Sequence, residues 1–507
     1  MAVATVAVGL TVAAVVVVRR AEPELRAAIV RGLEARFDSE VQLDGVEVSL
    51  WPSPRLAGHG LVLRYQGRTD IPPVIAVRQF AGTAGFRGFF ARRIEEVTLD
   101  GLEITIPPRR REEMPHLGGG GAPADLEDDS APPVIGRLVA ANTRLTVLSR
   151  DPGKKPRVFD IHTLELTDVR LDGPADFTAA LTVPTPTGIV EGRGRFGPWQ
   201  TDEPSLTPLD GAFTFNADLA TITGIAGTLE SGGSFAGVIE RITATGSTRT
   251  PDFRLPTLTN TPVPLETAFD AVVDGTNGDV YLTRVGARLG GSAFEVTGAI
   301  VRTAEGPGRH LTVDVTATSA RIDDVLRLLV DGGRPPLTGM MAGKARLDIA
   351  PGEADLVDKL WIDGTFTLRE ARFQSPALQA KIDELSQRAQ GRPGDEAVDD
   401  AVSNMTGRFA LKDNVLTLPL LTFGVRGAAV QMAGTYGLRS EQIAFRGDVR
   451  LDAPVSRLTT GVRSWLLKPF DPLFRKHGAG TRVAIRVDGT RRDPKFGIEL
   501  GRTLRGR

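Results

Sequence analysis

The sequence has no cysteine, little aromatic content and no excess of charge of either sign. Without Cys in its 507 residues, the chain forms neither disulfide bonds nor thiolate metal sites. The absence of Cys does not distinguish an oxidising from a reducing compartment. The 61 basic residues are balanced by 62 acidic residues, so no strongly basic surface is expected and no nucleic-acid partner is predicted. Aromatic residues make up 6% of the chain, beside 57 Gly and 34 Pro, which is typical of many short strands joined by tight turns.

Motifs that carry chemistry are also lacking. The five His are scattered, without a HExxH pattern or a close pair, so no metal is predicted. There is no GxSxG motif and no P-loop. The segment 192–197 matches GxGxxG, but a turn-like sequence follows it instead of a helix, so the dinucleotide interpretation fails. The sequence therefore predicts a protein that is not an enzyme and has no cofactor.

One long apolar run is present, in residues 1–18. As a helix it would rise about 27 Å, which just spans a hydrocarbon core of about 30 Å. A buried core helix is one alternative, and a cleaved signal peptide is another, although it would need a basic flank before the run and a small-residue cleavage site. We expect a retained membrane anchor. The positive-inside rule, taken alone, would place Arg19 and Arg20 in the cytoplasm, so the orientation is not fixed.

Beyond the anchor, most of the chain alternates apolar and polar residues. Period two over such stretches predicts strands with one dry and one wet face, joined as antiparallel meanders. Helices are predicted over 22–40, 321–330 and 375–390, and 455–474 is a last amphipathic stretch. Asp100-Gly101 predicts a hairpin within 92–108. The predicted regions are a transmembrane anchor (1–18), an N-terminal β region with a leading helix (19–108), a flexible linker or loop (109–131), a middle β-sheet region (132–355) and a C-terminal region (356–507).

The apolar face of so many strands must be shielded from water by another part of the protein or by a ligand. A second sheet would make a sandwich, and closure would make a barrel, whereas a curved open sheet would leave an apolar trough for a hydrophobic ligand. Alternation alone does not choose between a closed core and an open trough. The candidate inner-face residues are Phe213, Phe215, Leu219, Val313, Val315, Val483, Ile485 and Val487.

Several stretches resemble the AsmA-like proteins, the group that includes TamB. In the N-terminal part these are ELRAAIVRGLEARF (24–37), VQLDGVEVSLWPSPRLAGHGLVL (41–63) and IEEVTLDGLEITIPP (94–108). The C-terminal match is more specific and runs nearly in order through 362–391, 405–438 and 468–501. The missing basic flank before the anchor and the Gly-rich insert at 117–122 depart from the family pattern. The matched stretches cover well under half of the chain and include no catalytic motif.

The resemblance implies a bacterial envelope protein, anchored once in the inner membrane with its bulk in the periplasm and involved in outer-membrane biogenesis. It implies a mainly β fold in which an elongated, curved antiparallel sheet forms a taco-like groove that carries phospholipid, with a few short helices. Phospholipid, the inner membrane and an outer-membrane or envelope protein are the expected partners. The alternatives are a scaffold or assembly factor for outer-membrane proteins that carries no lipid, and an envelope hydrolase, which would need a clustered acid–base or metal site.

Overall fold

A computed structural model of the chain is mainly β, as the composition predicts. It describes most of residues 39–498 and helical residues between 23 and 34; residues 1–22, 107–133, 384–402, 452–481 and 499–507 lie outside the described residues, with shorter loop segments. The predicted anchor, the predicted flexible linker and the amphipathic stretch 455–474 therefore fall outside. In the described part of the chain, no helix has the length and apolarity needed to span a membrane.

The strands are assigned to one sheet of 25 strands with mixed pairing. The chain divides into two units: the first comprises Met1–Ala217, Ser231–Gly246 and Ala271–Val280, and the second comprises Asp218–Glu230, Ser247–Asp270 and Tyr281–Arg507. The strands of the first unit are β1 (Ser39–Gln42), β2 (Gly45–Ser49), β3 (Arg55–Tyr65), β4 (Ile75–Thr83), β5 (Arg93–Ile106), β6 (Val134–Ala141), β7 (Thr143–Val147), β8 (Arg157–Val169), β9 (Ala175–Pro184) and β10 (Thr187–Phe196). Strands with residues in both units are β11 (Pro208–Asp218), β12 (Thr228–Val238), β13 (Arg241–Thr250), β14 (Leu265–Val273) and β15 (Val280–Leu289).

Strand β5 corrects two predictions. It runs unbroken through Asp100-Gly101, where a hairpin was predicted, and Gly101 (φ +65°) accommodates a local irregularity that most side chains would resist. The first half of β5 pairs in parallel with β6 and its second half pairs in parallel with β7. Asn142 (φ +51°) separates those two short strands and donates a 2.6 Å hydrogen bond to Asp100. The sheet is therefore mixed, and the prediction of a purely antiparallel sheet is wrong.

The second unit contains a regular antiparallel meander. Its strands are β16 (Ser292–Val301), β17 (His310–Arg321), β18 (Leu337–Ile349), β19 (Leu360–Phe373), β20 (Ser403–Lys412), β21 (Val415–Val425), β22 (Ala428–Gly437), β23 (Gln442–Leu451), β24 (Arg482–Thr490) and β25 (Pro494–Ile498). Each strand pairs with the next along the chain. The predicted turn at Asp413-Asn414 is confirmed, since both residues have the positive φ that a tight hairpin turn requires.

Helices in the described part are few and short, as expected. The predicted helix at 321–330 is confirmed as α1 (Ile322–Leu329), and α2 (Leu356–Lys359) is a single turn capped by Asp355, which accepts a 2.9 Å hydrogen bond from the Val357 N–H. The predicted helix at 22–40 is too long at its C-terminal end, because Glu40 lies in β1. Of the helix predicted at 375–390, the described residues between 376 and 383 are helical.

Candidate functional site

The meander of the second unit has one apolar face and one polar face. In each antiparallel pair, directly opposed residues lie on the same face of the sheet. The strand register therefore shows which residues of successive strands share a face. Opposed pairs such as Val315 and Ala345, or Phe445 and Val487, are apolar on both strands. We call this surface the apolar face of the second unit. Its members are Val313, Val315, Ala345, Leu347, Ile362, Phe366, Phe409, Leu411, Leu416, Leu418, Leu421, Phe423, Val430, Met432, Tyr436, Ile443, Phe445, Val449, Ile485, Val487 and Phe496.

The opposite face of the same strands is charged and wet. Arg408 pairs with Asp363 at 3.4 Å, and Arg486 with Asp488 at 2.9 Å. His310 lies 2.8 Å from Asp348, a carboxylate that also accepts a 3.0 Å hydrogen bond from Thr312. Exposed ion pairs of this kind add little stability, and their main effect is to keep that face in water. The two faces of the meander therefore differ clearly in polarity.

Most side chains on the apolar face are half-buried. Val430 (1% exposed) and Leu411 (4%) are fully packed, whereas Val315, Phe366, Phe409, Phe445 and Val487 all keep part of their surface accessible. In a sandwich, a second sheet covers the inner face and buries it completely. Partial exposure over a run of neighbouring strands is what an open trough requires, since a ligand must reach the surface.

One end of the apolar face is packed by the chain itself. Leu368, Ala371 and Met405 form a buried cluster against which Ile322 of α1 packs. Ile382, in the helical residues after β19, belongs to a second buried cluster with Val430 and Val449. The long connections after β17 and β19 thus supply the apolar residues that close this margin.

The first unit has an apolar face of the same kind. Val77, Leu102 and Ala140 form its buried cluster, and Phe80 and Leu164 are among the partly buried side chains that pack on it. On the opposite face, Arg137 of β6 lies between two carboxylates, at 2.6 Å from Glu165 and 3.2 Å from Glu96. Apolar and polar sides are therefore separated in both units.

Glycines let neighbouring strands approach each other closely in both units. A Cβ placed on Gly364 would lie 2.7 Å from the Lys344 carbonyl oxygen of the next strand, and one on Gly194, Gly434 or Gly447 would overlap a neighbouring backbone. All four lie on the apolar side of their strands. At Gly424, on the polar face, the nearest atom would be 3.9 Å away. Neighbouring backbones therefore approach these four glycines closely on the apolar side, where a larger side chain would not fit.

The predicted inner-face residues are distributed over both units. Phe213 and Phe215 lie on the half-buried side of β11, and the Phe213 ring is 6.5 Å from that of Phe235. Val313 and Val315 lie together in β17, and Ile485 and Val487 of β24 pack on the cluster that contains Val430. Val483 is opposite Val449 in the register. Leu219 does not continue the strand: β11 ends at Asp218, whose side chain accepts a 2.8 Å hydrogen bond from the Ala220 N–H and starts a 3-10 turn.

The aromatic rings of the apolar face were not predicted. Phe366 and Phe409 face each other with ring centroids 6.1 Å apart, and Phe445 lies on β23. A sequence signal for them exists, because glycine precedes phenylalanine by two residues in five strands, at 194–196, 211–213, 233–235, 364–366 and 407–409. Residues two apart in a strand share a face, so this spacing places a glycine and a ring on the same side.

Clusters that could support metal or nucleotide chemistry are not found among the described residues. There, no group of three or more His, Asp or Glu residues is arranged to hold a metal ion. Gly192 and Gly194 lie inside β10, opposite Ala179 and Phe177, and not in a loop that opens a helix. The glycines of the GxGxxG match therefore pack against a neighbouring strand and do not approach a pyrophosphate.

No family model, curated protein or solved structure matches the chain.

The ion pair on the polar face of the first unit predicts a pH dependence. Hydrogen bonding to Arg137 lowers the pKa of Glu165 below its ordinary value, and the same contact raises the pKa of Arg137. A depressed carboxyl pKa stabilises the fold above the pKa of the unfolded chain, and this contribution is lost as the pH falls through the folded pKa. Arg137→Met is therefore expected to lower the melting temperature slightly at neutral pH, and the difference from wild type should shrink in acid. Arg193→Met on the exposed side of β10 is the control; an Arg137→Met difference that stayed constant down to pH 3 would contradict the assignment.

Proposed function

We propose that this chain is a single-pass inner-membrane protein of the bacterial envelope that binds phospholipid by its acyl chains along the apolar faces of its sheets and conducts it in outer-membrane biogenesis. Its bulk would lie in the periplasm, and its role would be non-enzymatic. The observation that supports this proposal is the apolar face of the second unit, which is continuous over neighbouring strands and mostly half-buried.

The chemistry of that face suits an acyl chain. Burial of each methylene away from water gains about 0.8 kcal/mol, so an acyl chain laid across several strands is held out of water without specific polar contacts. The pairs that cross the centre of the face, such as Phe366 with Gly407 and Met432 with Gly447, present carbon and sulfur only. A surface of this kind selects for hydrocarbon and not for a headgroup, which fits a carrier of bulk phospholipid.

The resemblance to AsmA-like proteins supports the same proposal from the sequence. The stretches 362–391 and 405–438 that carry it include β19 to β22, which form the centre of the apolar face. The apolar run in residues 1–18 supports the anchor and the inner-membrane location.

Native mass spectrometry of the detergent-purified full chain tests the proposal. We expect phospholipid to co-purify, and a delipidated sample to take up a fluorescent phospholipid from vesicles. A chain that carries no lipid and accepts none would overturn it. Crosslinking to outer-membrane proteins in the absence of bound lipid would instead favour the scaffold alternative.

A further inference from the structure

Phenylalanine rings on the apolar faces lie over glycines of neighbouring strands. A Cβ built on Gly58 would lie 2.5 Å from the Phe80 ring, and one on Gly434 would lie 2.6 Å from that of Phe445. The same relation joins Gly364 with Phe409 and Gly407 with Phe366, at 2.8 Å, and Gly211 with Phe235, at 2.9 Å. Each ring therefore occupies the volume that a side chain on the opposed residue would fill.

This arrangement lets the rings lie closer to the backbone of the sheet. A ring opposite an ordinary residue must stand away from the sheet, whereas a ring opposite glycine can lie across it and cover the exposed backbone. On β19 and β20 the pattern alternates, with Gly364 under Phe409 and Phe366 over Gly407. All of these rings remain half-buried, so their upper surfaces are accessible.

The ring-over-glycine pairs belong to the apolar side. Gly286 and Gly424 lie on the exposed side of β15 and on the polar face of β21, and a Cβ on either would meet no ring within 4 Å. A general need for flexible strands would place glycines on both faces with the same neighbours. The restriction to the apolar side holds for the phenylalanine rings, whereas the imidazole of His59 lies over Gly45 on the exposed side.

We propose that the ring-over-glycine pairs set the clearance above the apolar faces, so that an acyl chain of a phospholipid lies flat on the rings and passes along the sheet. The inference rests on the proposed function and adds the residues that control the path. It gives the glycines of the GxGxxG match a role as well, because Gly192 and Gly194 lie beneath and beside Phe177 of β9.

At Gly192, a side chain can be added to fill the space above the sheet without the backbone clash that would prevent folding. Its Cβ would lie 3.7 Å from the Phe177 ring and 4.0 Å from the Ala212 carbonyl oxygen, which are ordinary contacts. Gly192→Ala therefore fits beneath the ring. Gly192→Ile adds further carbons that must lift the ring away from the sheet, while isoleucine itself favours strands.

The experiment measures transfer of a fluorescent phosphatidylethanolamine between vesicles by the full chain. We expect Gly192→Ile to slow transfer about tenfold, and Gly286→Ile, on the exposed side of β15, to leave it unchanged. Phe177→Ala in the Gly192→Ile background removes the lifted ring and should restore transfer, which a variant that simply misfolds would not show. Wild-type transfer by Gly192→Ile would overturn the inference and leave the proposed function intact. Failure of the wild type to bind or transfer lipid would overturn the proposed function itself.

Discussion

Two glutamates on the apolar face of the second unit, Val315→Glu and Val487→Glu together, are expected to lower the phospholipid bound per chain at least about tenfold. Both positions are half-buried, so each carboxylate can remain hydrated in the lipid-free chain. Under an acyl chain it would lose that water, at a cost of several kcal/mol for an unpaired charge. Each 1.4 kcal/mol corresponds to about a tenfold loss of affinity, so one such contact suffices.

The matched control places the same charge on the other face of the same sheet. Thr318→Glu with Thr406→Glu adds two carboxylates at exposed positions of β17 and β20. Both variants gain two glutamates and the same net charge, and these glutamates lie on opposite faces of the sheet. Lipid content is measured by native mass spectrometry at limiting phospholipid. Equal lipid loss in both variants, or none in either, would contradict a role for the apolar face.

Truncation of Leu368 to alanine is expected to lower the free energy of opening of β19 by about 3 kcal/mol. Leu368 is 1% exposed, and it packs with Ala371 and Met405 in the cluster that closes one margin of the apolar face. Removing its branched end leaves a cavity that the surrounding strands cannot fill. Amide hydrogen exchange in β19 and β20 should accelerate about a hundredfold, because 1.36 kcal/mol corresponds to a factor of ten.

Leu420→Ala is the control for this change, since it deletes the same atoms from a side chain that is 43% exposed. Its effect on exchange in β20 and β21 should stay below about tenfold. Local exchange is preferred to a global melting curve because a chain of two units need not unfold in one step. A similar acceleration in both variants would mean that the margin is no better packed than the polar face.

Local rules predicted the elements whose determinants are local. The turn at Asp413-Asn414 and the helix Ile322–Leu329 follow from residues within a few positions of each other, and both are confirmed. Asp100-Gly101 obeys the same rule in the sequence and yet lies within β5, because parallel partners β6 and β7 hold the strand straight on both sides of it. Leu219 fits the alternation of β11, but the side chain of Asp218 ends that strand by capping the next turn. In both cases, a contact that the alternation of apolar and polar residues does not reveal decided where the strand continues or ends.

The candidate site was predicted in part for the same reason. Period-two alternation identified Phe213, Phe215, Val313, Val315, Ile485 and Val487 as one-sided, and the described side chains of these residues are buried or half-buried. The pairing of a glycine with a ring depends on strand register, which joins residues far apart in the chain, such as Gly407 with Phe366. The spacing of glycine before phenylalanine was present in the sequence, but without the register its partner could not be assigned.

The amino-acid sequence by itself determined that this is a mainly β protein whose strands have one apolar and one polar side. Apolar and polar residues alternate with period two, which matches a strand and not a helix. Only the tertiary structure decided that the apolar side is left half-buried, since burial depends on which strands pair and on what packs above that side.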